Sequence, residues 1–161
     1  MPGQSNINIW CSTKMKNNFA AAIRFTLGWE TGGDPDGAYT NDPADPGGET
    51  RWGIAKRFHP DVDIKNLTRE GAEAIYQKEY WEAAGCDDLP APLDIAVFDS
   101  AVNPGAGWEK INSTSGDWKK VLFLRVAHYG YLAKETPAKV EYLGGWLDRV
   151  MALWSLCLSS A

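Results

Sequence analysis

Glu30 stands where an ionisable group could do chemistry, because it closes an apolar helical pattern rather than interrupting a polar one. Phe19, Ile23 and Leu27 recur at helical spacing, and Glu30 follows three residues later on the same stripe, beside Trp29. Water exclusion there would disfavour the charged carboxylate, and a carboxyl kept protonated near neutral pH is a general acid. An isolated helix-end glutamate more often points into solvent or bonds the amides of the next turn. The segment Asp42-Pro-Ala-Asp-Pro-Gly-Gly-Glu-Thr50 changes that weighing, because it sets carboxylates and a threonine on a glycine-permitted turn able to fold back across the helix end. Glycosidic hydrolysis needs such a facing polar group, to activate water or to stabilise an oxocarbenium-like transition state. By residue chemistry either Asp42 or Asp45 could face Glu30, as a close nucleophile or as a more distant base, so retention and inversion both stay open. Thr50 serves equally well as a water-positioning group or as a local hydrogen-bonding clasp of the turn. Tyr39, Trp52 and Trp81 lie in or beside these segments and could stack on pyranose rings, with plain packing as the equal alternative. Asn103 could bond an acetamido group, whereas Trp146 and Trp154 sit on a helical stripe and are assigned to the core.

Positioning these groups requires a mainly helical α+β domain with one small β-hairpin region. Asn17 or Asn18 caps the helix that ends at Glu30. Residues 31–53 then switch to glycine, proline and threonine, the composition of turns and short strands. Thr68 caps a second helix carrying Ala72, Ile75, Tyr76, Glu79 and Tyr80, which ends near Gly85. Leu93 to Val102 is apolar except for Asp94, Asp99 and Ser100, and it reads as a buried central helix stopped by Asn103, Pro104 and Gly105. Two more helices are expected over 118–134 and 137–156. The last has Pro137 as its first residue and a stripe of Val140, Leu143, Leu147, Val150, Met151 and Trp154. Residues 1–16 read as a loose polar arm and 17–161 as one domain, with a motif region at 30–54 and a helical remainder at 55–156.

Bulk properties exclude several classes of function. A chain of 161 residues has room for a single ordinary core. Residues 1–109 carry 9 basic and 17 acidic groups and residues 110–161 carry 7 and 4, which leaves no continuous basic stripe for nucleic acid. No segment approaches the roughly 20 apolar residues of a membrane span, and the first sixteen residues lack a signal-peptide core. Cys11, Cys86 and Cys157 are odd in number and widely spaced, and they read as reduced thiols. His59 and His128, the only histidines, have no partners at zinc-ligand spacing. Asp34, Asp36, Asp42 and Asp45 mimic part of a calcium loop, but Pro35, Ala38 and the displaced Gly37 break its pattern, so neither a metal nor another cofactor is expected.

Glu30-Thr-Gly-Gly, Tyr39-Thr-Asn-Asp-Pro-Ala-Asp-Pro-Gly-Gly-Glu-Thr and Gly53-Ile54 together resemble the signature of glycoside hydrolase family 108, the phage-type N-acetylmuramidases. Tyr80-Trp81, Phe98-Asp99-Ser-Ala-Val-Asn103-Pro-Gly105 and Leu143-Gly-Gly-Trp146-Leu-Asp-Arg149-Val are similar to its later motifs, and the resemblance spans about residues 18–155. It implies a lysozyme-like fold, Glu30 as catalytic acid, and Asp45 and Thr50 as its downstream companions. Tyr39, Asp42, Trp52, Trp81 and Asn103 are then the candidate substrate contacts. Thr31 departs from the pattern, standing where a glycine is common, and Asp34 to Ala38 lengthens the connection to Tyr39. The resemblance further implies cleavage of the glycan strands of bacterial peptidoglycan by a monomeric enzyme held in the host cytoplasm until a holin-type partner opens the membrane. A lytic transglycosylase on the same scaffold and a non-catalytic peptidoglycan-binding module are the rival readings.

Overall fold

The computed structural model describes residues 18–42, 47–104 and 116–161. The expected arm at 1–16, Asp45, Gly105 and Cys11 lie outside the described residues. Helix α1 spans Phe19–Glu30, and it buries Ala22, Ile23, Thr26 and Leu27 along the face that the spacing predicted. Asn18 precedes it without bonding the helix amides; its side chain instead donates to buried Asp94 at 3.0 Å. Thr31 ends α1 by returning its hydroxyl to the Leu27 carbonyl at 2.9 Å, and Gly32 and Gly33 then supply the left-handed backbone that turns the chain away.

Strands β1 (Thr50–Arg51) and β2 (Ile54–Ala55) pair antiparallel, and Thr40 bridges to Thr50 from the preceding segment. Both residues of the connecting turn, Trp52 at φ 56° and Gly53 at φ 76°, are left-handed, as the tightest hairpins require. Helix α2 (Arg69–Tyr76) starts at Thr68, whose hydroxyl accepts from the Gly71 amide at 3.1 Å, and it continues through a π-helical stretch at Gln77–Glu82 that no sequence pattern foretold. A short turn of helix at Cys86–Asp88 leads into α3 (Leu93–Val102), with every residue from Leu93 to Ala101 buried. Helix α4 runs Trp118–Glu135, and after a turn at Pro137–Lys139 helix α5 runs Val140–Ser160.

Helix α3 packs against α1, α4, α5 and the π-helical stretch that continues α2. The expected inward stripe of α5 holds at Leu143, Val150 and Trp154, but Val140 and Met151 are exposed, and Arg149, Leu153 and Cys157 face inward as well. No helix among the described residues is long and apolar enough to cross a membrane.

Candidate active site

Glu30 sits at the tip of α1 with its side chain 24% exposed. The hairpin turn closes against it. A Cβ on Gly53 would stand 3.2 Å from the Glu30 Cβ and 2.5 Å from the Tyr76 hydroxyl, so only glycine lets the turn approach this closely. Tyr76 anchors that turn by donating to the Trp52 carbonyl at 3.1 Å. Its phenol is pushed well up by burial and then by the negative charge of Glu30, which keeps it a donor.

The sequence led to a carboxyl dried by apolar neighbours, but the group facing Glu30 is a cation. Arg149 donates from Nη1 to Glu30 Oε1 at 2.7 Å, and Trp29 is instead substantially exposed and tilted against Phe25. Arg149 also grips Asp99, from Nη2 to Oδ1 at 2.7 Å and from Nε to Oδ2 at 3.2 Å. Asp99 accepts from Arg125 Nη1 at 2.7 Å and from the Thr26 hydroxyl at 3.0 Å. Arg125 Nε reaches the Tyr129 hydroxyl at 2.7 Å, which donates to Asn103 Oδ1 at 2.6 Å. One chain of charge-assisted bonds thus runs from the helix tip through the protein interior.

Burial raises the Asp99 carboxyl, but the two guanidiniums outweigh it and hold the group below its ordinary 3.8. Arg149 is likewise pulled down by burial and driven higher still by Asp99 and Glu30, so it is charged at every working pH. Arg125 Nη2 is buried without a hydrogen-bond partner among the described residues.

The other expected site residues divide. Thr50 exchanges both backbone bonds with Thr40 at 2.9 Å, and its hydroxyl approaches the Gly48 carbonyl at 3.4 Å. Tyr39 is half-exposed on the same bridge and donates to Glu49 Oε1 at 2.9 Å, a bond that raises its phenol. Asp42 is exposed two residues beyond Thr40. Asn103 borders a cavity with His128, Tyr129, Lys139 and Trp146.

Two of the aromatic expectations are corrected. Trp81 is wholly buried between Phe19 and Phe98, with its indole N–H on Asp87 at 2.8 Å, so it offers no face to a sugar. Trp52 is nearly buried as well. Its ring lies where a side chain on Gly37 would be, and its N–H bonds the Leu67 carbonyl at 3.2 Å, so it braces the strained turn rather than presenting a stacking platform.

Arg125 and Tyr129 had no part in the expected site, and Asp99 and Arg149 entered only as parts of motifs. The one available signal was Asp99 itself, a charge inside an otherwise apolar helix that must find a buried partner. Asp34 accepts the Asp36 amide at 2.8 Å, and among the described residues no three His, Cys, Asp or Glu side chains gather as a ligand set for a metal.

A helical domain with a short hairpin closed against a helix-end glutamate is a lysozyme-like fold. Residues 23–105 match the family described as Glycosyl hydrolase 108, and the chain belongs to that family. Its fold is similar to that of SagA from Brucella abortus, with a TM-score of 0.62 and 24% identity over 88% of this chain and 94% of that one; at this identity the likeness speaks for the fold alone. No curated protein sequence matches the chain.

Proposed function

We propose that this enzyme hydrolyses the β-1,4 bond between N-acetylmuramic acid and N-acetylglucosamine in bacterial peptidoglycan, weakening the wall to lysis, with Glu30 as the proton donor. The observation that carries the reading is the singly occupied carboxyl at the helix tip. Arg149 takes Oε1, and Oε2 has no hydrogen-bond partner among the described residues. Oε2 is therefore the oxygen able to carry a proton to the glycosidic oxygen. Once the proton has left, the guanidinium stabilises the carboxylate that forms, and that carboxylate can then act on water.

Positive charge developing on the sugar needs a facing polar group, and the segment from Asp42 to Thr50 supplies it, with Asp45 or Asp42 as the carboxylate and Thr50 as a water-positioning hydroxyl. Tyr39 and Asn103 serve as substrate contacts on either side. The family assignment supports a glycosidase, and the glycine-only contact at Gly53 supports a turn built to lie against Glu30.

Mass spectrometry of purified peptidoglycan digested with the enzyme tests this assignment. Fragments ending in reducing N-acetylmuramic acid are expected. Anhydromuramic ends would establish transglycosylation, and an undigested wall to which the protein adheres would establish a binding module.

A further inference from the structure

The buried chain of hydrogen bonds ends in a second concave site, one helical turn from the charged layer. Helices α3, α4 and α5 give Asp99, Arg125 and Arg149 to that layer, and three or four positions away from them stand Asn103 just past the end of α3, Tyr129 on α4 and Trp146 on α5. Those three border a cavity of about 270 Å³ together with His128 and Lys139. Trp146 and Arg149 stand three positions apart on α5, a rise of about 4.5 Å, so the residue that borders the cavity lies one turn from the residue that holds Glu30.

Its walls are chemically mixed in a way that packing alone does not require. Half-buried Trp146 stacks on the buried ring of Tyr129 at 4.9 Å and 24°, so Trp146 carries the aromatic surface at the cavity and Tyr129 backs it. Asn103 Oδ1 is taken by the Tyr129 hydroxyl, which fixes the amide so that its NH2 is the end left to donate. Lys139 is in no ion pair among the described residues, and no carboxylate among them lines the cavity, although the whole chain carries a net charge of −5. The His128 imidazole is held down by partial burial and by Lys139, which leaves the ammonium as the cavity's cation near neutral pH.

We infer that this cavity is a carboxylate-selective saccharide subsite, with Trp146 against the sugar ring, the Asn103 amide on its N-acyl group and Lys139 on a carboxylate. The inference rests on the proposed peptidoglycan substrate, where two sources offer that chemistry: the lactyl carboxylate of a muramic ring without a peptide, and the carboxylates of a stem peptide joined to that group as an amide.

Equilibrium titrations of the full chain in a Glu30→Gln background separate these sources. The probes are an uncharged N-acetylchitooligosaccharide, a muramic-acid-containing glycan with free lactyl carboxylates, and the same glycan bearing stem peptides. Lys139→Met is expected to weaken binding of carboxylated glycan about fivefold, with the uncharged oligosaccharide unchanged, and Lys139→Arg is expected to restore it. Because the stem peptide is joined to the lactyl carboxyl as an amide, loss on the free-lactyl probe alone assigns the lactyl carboxylate, and loss on the peptide-bearing probe assigns the stem peptide. Equal change on all three probes, or on none, overturns the inference. A wrong acid assignment shows separately, as continued cleavage of the titrant by the Glu30→Gln protein.

Discussion

The charged layer at Asp99 and the helix tip at Glu30 share one guanidinium, yet they are built in opposite ways. Asp99 is sealed from solvent and accepts bonds from Arg125, Arg149 and Thr26, so its carboxylate has no capacity left for a ligand. Glu30 is a quarter exposed and held through one oxygen. A buried, fully paired carboxylate stabilises a fold and is expensive to disturb, whereas a singly held one at a surface keeps an oxygen for chemistry. Arg149 is thus a structural residue toward Asp99 and a positioning residue toward Glu30, and substitutions on the two sides should divide between stability and rate.

The sharpest way to break this contrast is to empty the sealed side. Asp99→Ala leaves two buried guanidiniums without their shared carboxylate and should cost about 3–5 kcal/mol, read as a lower urea midpoint. A midpoint near that of the parent would mean that the layer is not structural. Next in size, Arg149→Lys keeps the charge but loses the planar fork that reaches both carboxylates. A fall of about 100-fold in kcat is expected, with KM little changed and a smaller loss of stability than for Asp99→Ala. A matching fall in stability with unaltered kcat would place Arg149 wholly on the structural side.

Gly53→Ala sharpens the contrast from the hairpin. A side chain at φ 76° costs about 1–2 kcal/mol and pushes on Glu30 and Tyr76, so peptidoglycan hydrolysis should fall further than the shift in melting temperature accounts for.

A pH-dependent effect concerns proton linkage on the core side. Burial pushes the Cys157 thiol up to about 12 from its ordinary 9.0. The folded state therefore holds this proton more tightly than the unfolded chain, and the stability it contributes is complete below pH 9 and drains away toward pH 12. Urea midpoints across that window should decline more steeply in the parent than in Cys157→Ala, by at most about 1.4 kcal/mol per pH unit. The depressed Asp99 carboxyl acts in the other direction, since its contribution is present above pH 3.8 and lost as acid protonates it.

Much of the scaffold was legible because local signals act over three or four residues. The spacing of Phe19, Ile23 and Leu27, the cap at Thr68 and the apolar run from Leu93 to Val102 each specify a helix with near-correct ends. The charged layer was not legible, because its members lie 26 and 50 residues apart and a lone charge in an apolar helix carries no address for its partner. Arg149 also blurred the reading of α5: an arginine looks like a solvent residue, so the inward stripe left it out and included exposed Val140 and Met151. Trp81 failed for the converse reason, since an aromatic residue inside a recognisable motif reads as a ligand contact even where the core needs its volume.

The account turns on the carboxyl of Glu30, and the most direct test is the rate at which Glu30→Gln solubilises purified peptidoglycan, measured beside a melting curve. The amide can still accept the Arg149 bond but has no proton of carboxylic acidity to give. A correctly folded protein whose hydrolysis falls by at least about 100-fold is expected. A folded variant that cleared the wall at the parent's rate would contradict it.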